Sequence, residues 1–196
     1  MIVSLGLNCS PEGHMDDLVR QYNLPATKHS GFFDWTIMSF DSIIQFLELC
    51  KSGDVIDTLA NPDNYIKVLA TNGIEYPKNT ILDCVYIWHT ETFDYDFKDK
   101  SVHKLNTLLN DQSKKYFVID NMSDQIRSNM QKVGEDTSKF IITFDQYNRI
   151  KDLAKEVFDA EILLVSNRDK AKDFPQDFNF RNKDVQVDEA RQMFGC

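Results

Sequence analysis

The chain predicts an α/β fold: a single domain, residues 1–196, with a mostly parallel sheet of about five strands and helices on both faces. Three observations point there. Short apolar, β-branched runs recur along the sequence. Stretches with helical spacing of apolar residues separate them. The strand runs are apolar at successive positions rather than at alternate ones, as strands covered on both faces are.

The predicted strands are residues 2–5, 81–88, 116–119, 140–144 and 161–166. Residues 14–23 form a short amphipathic helix with Met15, Leu18 and Val19 on one side. Ser39 or Asp41 caps a helix that runs through Leu49, with Phe40, Ile43, Ile44, Phe46, Leu47 and Leu49 as its apolar face. Further helices are expected at 62–72, 99–110, 123–132 and 145–158. Residues 61–64 and 76–79 each contain a proline among polar residues and read as turns. In the polar tail after Lys170, Phe174, Phe178 and Phe180 are placed to pin the chain onto the body. No repeat, low-complexity segment or linker interrupts this pattern.

Composition narrows the function. The net charge is -9 and the isoelectric point about 4.9, which opposes broad binding to nucleic-acid phosphates or anionic lipid. No apolar run reaches the length of a membrane span. No basic segment followed by an apolar one marks a signal peptide at the start. Cys9, Cys50, Cys84 and Cys196 fit neither a zinc motif nor a CxxC pair. The expectation is a cytoplasmic protein, of its own cell or of a host cell, with reduced thiols. No metal and no cofactor are expected. Asp94, Asp96 and Asp99 resemble part of a calcium loop, but the glycine and terminal glutamate of such a loop are missing. Gly6, Asn8 and Gly13 match neither a dinucleotide fingerprint nor a P-loop.

Cys9 carries the chemistry. It follows the first strand run and Gly6, and a stretch able to open a helix comes after it. A thiol facing helix-terminal N–H groups is held toward its reactive thiolate form. The alternative is that Cys9 is a small buried filler. In parallel sheets, sites form where strands end at their carboxyl side. Cys9 follows the first predicted strand and His89 the second, so both are expected on one rim. His89 is the candidate base, with a loop residue as its plain alternative. His14 and His103 read as solvated helix residues, and His29 as a loop residue. Asp34, set between aromatics in Phe32-Phe33-Asp34-Trp35, needs donors if buried. It either orients the histidine or caps a turn. Asn8 and backbone N–H groups after Cys9 are placed to hold an oxyanion, although Asn8 equally suits a turn. Gly6 and Trp35 complete the candidate substrate contacts.

Ser4-Leu5-Gly6-Leu7-Asn8-Cys9, then Phe33-Asp34-Trp35, then an apolar helix and Tyr86-Ile87-Trp88-His89, resemble a mainly bacterial family described as papain-like cysteine peptidases. The likeness covers residues 2–119. It implies Cys9 as nucleophile, His89 as base and Asp34 as a site residue of a hydrolase or acyl-transfer enzyme acting on a peptide or small molecule. Ser10-Pro11-Glu12-Gly13-His14 stands where the family often has an alanine and a Leu-Arg pair, and Thr90 intervenes after His89. The resemblance implies a papain-like α+β fold, with the cysteine at a helix start and the histidine on an antiparallel sheet. The strand pattern is instead similar to the three-layer, SGNH- or flavodoxin-like arrangement. A strict SGNH triad is excluded, because no histidine follows His103. Two other readings stay open: a non-catalytic binding domain, and a transferase linked to polysaccharide metabolism, the context of some family members.

Overall fold

The structure, a computed structural model, describes residues 1–5, 19–20, 36–69, 73–86, 95–121, 131, 134, 136–166, 168–178 and 180. Along the chain lie β1 (Ile2–Ser4), β2 (Thr36–Ile37), α1 (Phe40–Ser52), α2 (Val55–Ala60), β3 (Tyr65–Leu69), β4 (Glu75–Asn79), β5 (Cys84–Tyr86), α3 (Tyr95–Asn110), β6 (Lys115–Asp120), β7 (Ile142–Thr143), α4 (Phe144–Phe158), β8 (Ala160–Val165) and β9 (Ala171–Lys172). The fold is mixed α/β.

A small parallel sheet has the order β1-β6-β8. Ile2 pairs with Tyr116 and Ser4 with Val118. Lys115 pairs with Ala160 and Asp120 with Val165. Alternation splits these strands between two clusters. Val3, Leu5, Phe117, Ile119 and Leu164 share the main core with Phe46 and Leu47 of α1, Leu105 and Leu108 of α3, and Ile150 and Leu153 of α4. Ile2, Tyr116, Val118, Leu163 and Val165 form the second cluster, with Val19 against it. Both faces of the sheet are therefore buried, which is why its strands read as unbroken apolar runs.

The main helices form where caps and apolar stripes coincide. Ser39 caps α1, its Oγ accepting from Ser42 N–H at 3.1 Å. Gly53, at φ 88°, closes the helix by donating to the Leu49 carbonyl, a left-handed position that glycine takes without strain. Thr143 and Gln146 form a reciprocal capping box at the start of α4. The two helices pack side by side. Gln146 donates to Asp41 at 2.7 Å, Arg149 to Glu48 at 2.8 Å, and Lys51 to Glu156 at 2.9 Å. Both residue numbers rise together, so α1 and α4 run parallel.

Four expectations are corrected. Residues 81–88 supply no parallel strand: β5 sits in a second, antiparallel sheet of order β2-β5-β4-β3. Residues 140–144 contribute only the two-residue β7, which pairs with β9, between a 3₁₀ turn (Thr137–Phe140) and α4. The parallel sheet therefore has three described strands instead of about five. Residues 62–72 are not helical in their described part: a 3₁₀ turn (Pro62–Asn64) leads into β3. Residues 76–79 lie within β4 rather than in a turn.

The last correction has a clear cause. Thr80 N–H donates to the Asn64 carbonyl at 2.8 Å, which fixes the parity of the β3–β4 ladder. Lys67 and Pro77 then form a pair whose backbone groups point away from each other. Pro77 costs β3 no hydrogen bond. Its missing N–H faces β5, and β5 pairing stops one residue short, at Lys78. The real turn follows β4. There Asn79 Oδ1 accepts from Ile81 and Leu82 N–H at 3.1 and 2.9 Å, while its buried Nδ2 has no partner among the described residues.

Candidate functional site

The site residues named from sequence, Gly6, Asn8, Cys9, Asp34, Trp35 and His89, all lie outside the described residues, as do His14 and His29. The nearest described residues, Leu5, Thr36 and Tyr86, fix the points from which the chain leads to them.

The first tether is the end of β1. Leu5 N–H donates to the Val118 carbonyl at 2.8 Å, extending the parallel ladder one residue past Ser4. Cys9 follows four residues later. The chain leading to it therefore starts from the carboxyl edge of the sheet.

The second tether is the β2–β5 pair. Thr36 is opposite Tyr86 and Ile37 opposite Val85. In this antiparallel register the amino end of β2 meets the carboxyl end of β5. Trp35 and Asp34 immediately precede Thr36, and His89 comes three residues after Tyr86. The attachment points of Asp34 and His89 thus sit across one ladder rung, about 4.5–5.5 Å apart between Cα atoms. The strand that leads toward His89 is thus antiparallel β5 and not a strand of the parallel sheet; His89 and Cys9 themselves lie outside the described residues. An apolar strand run reveals that a strand exists, but not which strand it pairs with.

The carboxyl edge of the parallel sheet also gathers buried polar residues that sequence reasoning did not single out. Asn121 follows β6, Ser166 follows β8, and Ser4 ends β1; all are buried. Lys170 lies just beyond, in a 3₁₀ turn (Arg168–Lys170), with only 6% of its surface exposed. Asn121 holds this edge together. Its backbone N–H donates to the Val165 carbonyl at 2.8 Å, and its Nδ2 donates to the Lys170 carbonyl at 3.1 Å. Buried polar groups carry a desolvation cost that core packing does not require, so their concentration here marks the edge as more than packing. In the sequence, Ser166 directly follows the apolar run of β8, Asn121 stands two residues past that of β6, and Ser4 interrupts the first run.

The other described chemistry is inert. Burial pushes the Cys50 thiol up to about 12, so it stays protonated at neutral pH, and Cys84 is buried in the core. Neither is in a disulfide. His103 is exposed on α3, as expected for a solvated residue. Asp96 and Asp99 lie within α3 rather than in a calcium loop. Among the described residues no group of His, Cys, Asp and Glu is arranged to hold a metal ion, and no helix is long and apolar enough to cross a membrane.

Compared with family models, with curated proteins and with solved structures, the chain matches none.

Proposed function

We propose that the chain is a cysteine-dependent hydrolase or acyl-transfer enzyme. Cys9 is its nucleophile, His89 its base and Asp34 the residue that orients His89. The observation that carries this reading is the pairing of Thr36 with Tyr86, which tethers Asp34 and His89 to the same end of one strand pair. Two residues of chain span at most about 7 Å and three about 10 Å, so a carboxylate–imidazole contact needs no rearrangement of the sheet. An antiparallel strand before the histidine also suits the papain-like resemblance. Cys9, four residues beyond Leu5, is held within about 14 Å of the sheet edge.

In this mechanism His89 takes the proton of the Cys9 thiol. The thiolate attacks the substrate carbonyl, and Asn8 with backbone N–H groups holds the oxyanion. His89 returns the proton to the leaving amine or alcohol as the C–N or C–O bond breaks. A water, or another acceptor, then cleaves the thioester and restores the thiol. Gly6 leaves room for the substrate's approach, and Trp35 packs against it. The finer architecture belongs to the same proposal: one three-layer domain, its second cluster on the far side of the sheet. That Cys50 and Cys84 are not in disulfides suits a reducing cytoplasm.

A thiol-directed acyl probe tests the assignment. Labelling is expected to map to Cys9 and to vanish in Cys9→Ser. Equal labelling of the wild type and the variant would sink it.

The buried polar edge at Ser4, Asn121, Ser166 and Lys170 favours a second reading, a binding domain in which Cys9 only packs. Under it, Cys9 alkylates like an ordinary thiol whether or not His89 is present.

A further inference from the structure

We propose that β3 is a self-pairing edge, through which two copies of this chain join their antiparallel sheets.

Among the described residues β3 ends the four-stranded sheet, with β4 on its inner side. The parity fixed by Thr80 and Asn64 directs the N–H and C=O groups of Ile66 and Val68 toward β4, and those of Lys67 and Leu69 outward. An outward row of backbone donors and acceptors is a template for another strand. The side chains do not close it off. Ile66 is 50% exposed and Leu69 68%, values at which an isolated domain leaves apolar surface in water. The strand contains no proline and no bulge. Its one charge, Lys67, is paired with Glu75 at 3.0 Å on its own hairpin.

The occupant is a second β3, because the strand is complementary to itself. Centring a two-fold axis on Val68 makes Lys67 and Leu69 of each copy a hydrogen-bonded pair with Leu69 and Lys67 of the other. This register uses the groups that point outward. It also sets Val68 against its own copy, in a close pair with Cα atoms about 4.5 Å apart. Centring on Lys67 instead opposes two ammonium groups, which is unfavourable. A five-residue strand buries less than a standard interface, so the dimer is weak and exchanging.

Cysteine cross-linking tests both the contact and its register. Val68→Cys places two thiols on the axis, within disulfide geometry. Ile66→Cys is the control. Residue 66 is more exposed, but this register separates its copies by about four strand positions, or roughly 14 Å. Under mild oxidation, with the linked peptides mapped by mass spectrometry, the Val68→Cys protein should form its intermolecular disulfide at least about tenfold faster than the Ile66→Cys protein. Adding Lys67→Pro to Val68→Cys should abolish the linkage and leave the melting temperature within a few degrees. That substitution removes an outward N–H, as Pro77 does on the other side of the hairpin, together with the exposed Lys67–Glu75 ion pair, which adds little to stability. Linkage at residue 66 as fast as at 68, no linkage at either position, or linkage that survives Lys67→Pro would each overturn the proposal.

Discussion

Asp83 sits in the turn between β4 and β5 at φ 46°, a left-handed conformation that aspartate and asparagine tolerate better than most residues. Its carboxylate lies 2.6 Å from Lys78 Nζ and 3.1 Å from Lys139 Nζ. Burial acts to raise this carboxyl, and the two lysines outweigh it, leaving it below the usual carboxylate range. A lowered folded-state value gives stability that is present above the unfolded value and is lost as pH falls through the folded one. Asp83→Asn keeps the turn and removes the charge. In urea titrations it should cost at most about 1 kcal/mol at pH 7, because the site is partly exposed. The difference from the wild type should shrink as pH drops below about 4. A difference that grows toward acid pH would contradict the ion-pair account. Phe117 is a contrast, held by packing alone: it is fully buried and meets Phe158 edge-on at 5.2 Å. Phe117→Ala should cost about 3–5 kcal/mol with little pH dependence, and a loss under about 1 kcal/mol in the same titrations would show that the sheet is not the core.

Elements whose own residues determine them were legible in the sequence. A cap at Ser39 or Asp41 and the apolar face after it marked α1, the stripe Ile150, Leu153, Ala154 and Val157 marked α4, and unbroken apolar runs marked β6 and β8. Elements defined by a partner were not. Tyr65, Ile66, Val68 and Leu69 fit a helical stripe as well as a strand, and only pairing with β4 decides between them. Pro77 suggests a turn until the parity of its neighbours shows that its N–H is dispensable. The tail was legible because aromatic residues in a polar segment need a reason. Phe174, Phe178 and Phe180 join Phe144 and Tyr147, with Phe174 5.2 Å from Phe144 and 4.8 Å from Phe178. This strap lies across the first turn of α4. Phe174→Ala should cost about 3 kcal/mol and Phe180→Ala, at a half-buried position, less than half of that. Equal effects in thermal melts would mean that the strap is not anchored at Phe174. Thr143→Ala removes the capping box and should cost about 1 kcal/mol.

At the scale of the whole molecule, the proposed site draws on two sheets of different kind. The parallel sheet tethers Cys9 through Leu5, and the antiparallel sheet tethers Asp34 and His89 through Thr36 and Tyr86. Leu5, Ile37 and Cys84 belong to one contiguous core, so both tethers are mounted on the same packed body. The sequence named these residues by chemical type and motif, but the pairing of His89's strand lay in long-range register, which no local pattern encodes. Among the described residues the thiol background is quiet, since Cys50 is held protonated and Cys84 is buried; Cys196 lies outside them, so labelling is read peptide by peptide. Iodoacetamide on the folded protein should leave both unmodified, and peptide mapping that finds them labelled before Cys9 would contradict the packing described. The most direct measurement is the rate of Cys9 alkylation against pH, in the wild type and in His89→Gln. An imidazole-paired thiolate predicts fast alkylation that persists well below about pH 7 in the wild type and shifts in the variant toward an ordinary thiol near about pH 8.5. Identical profiles, both rising only near that ordinary value, would contradict the account.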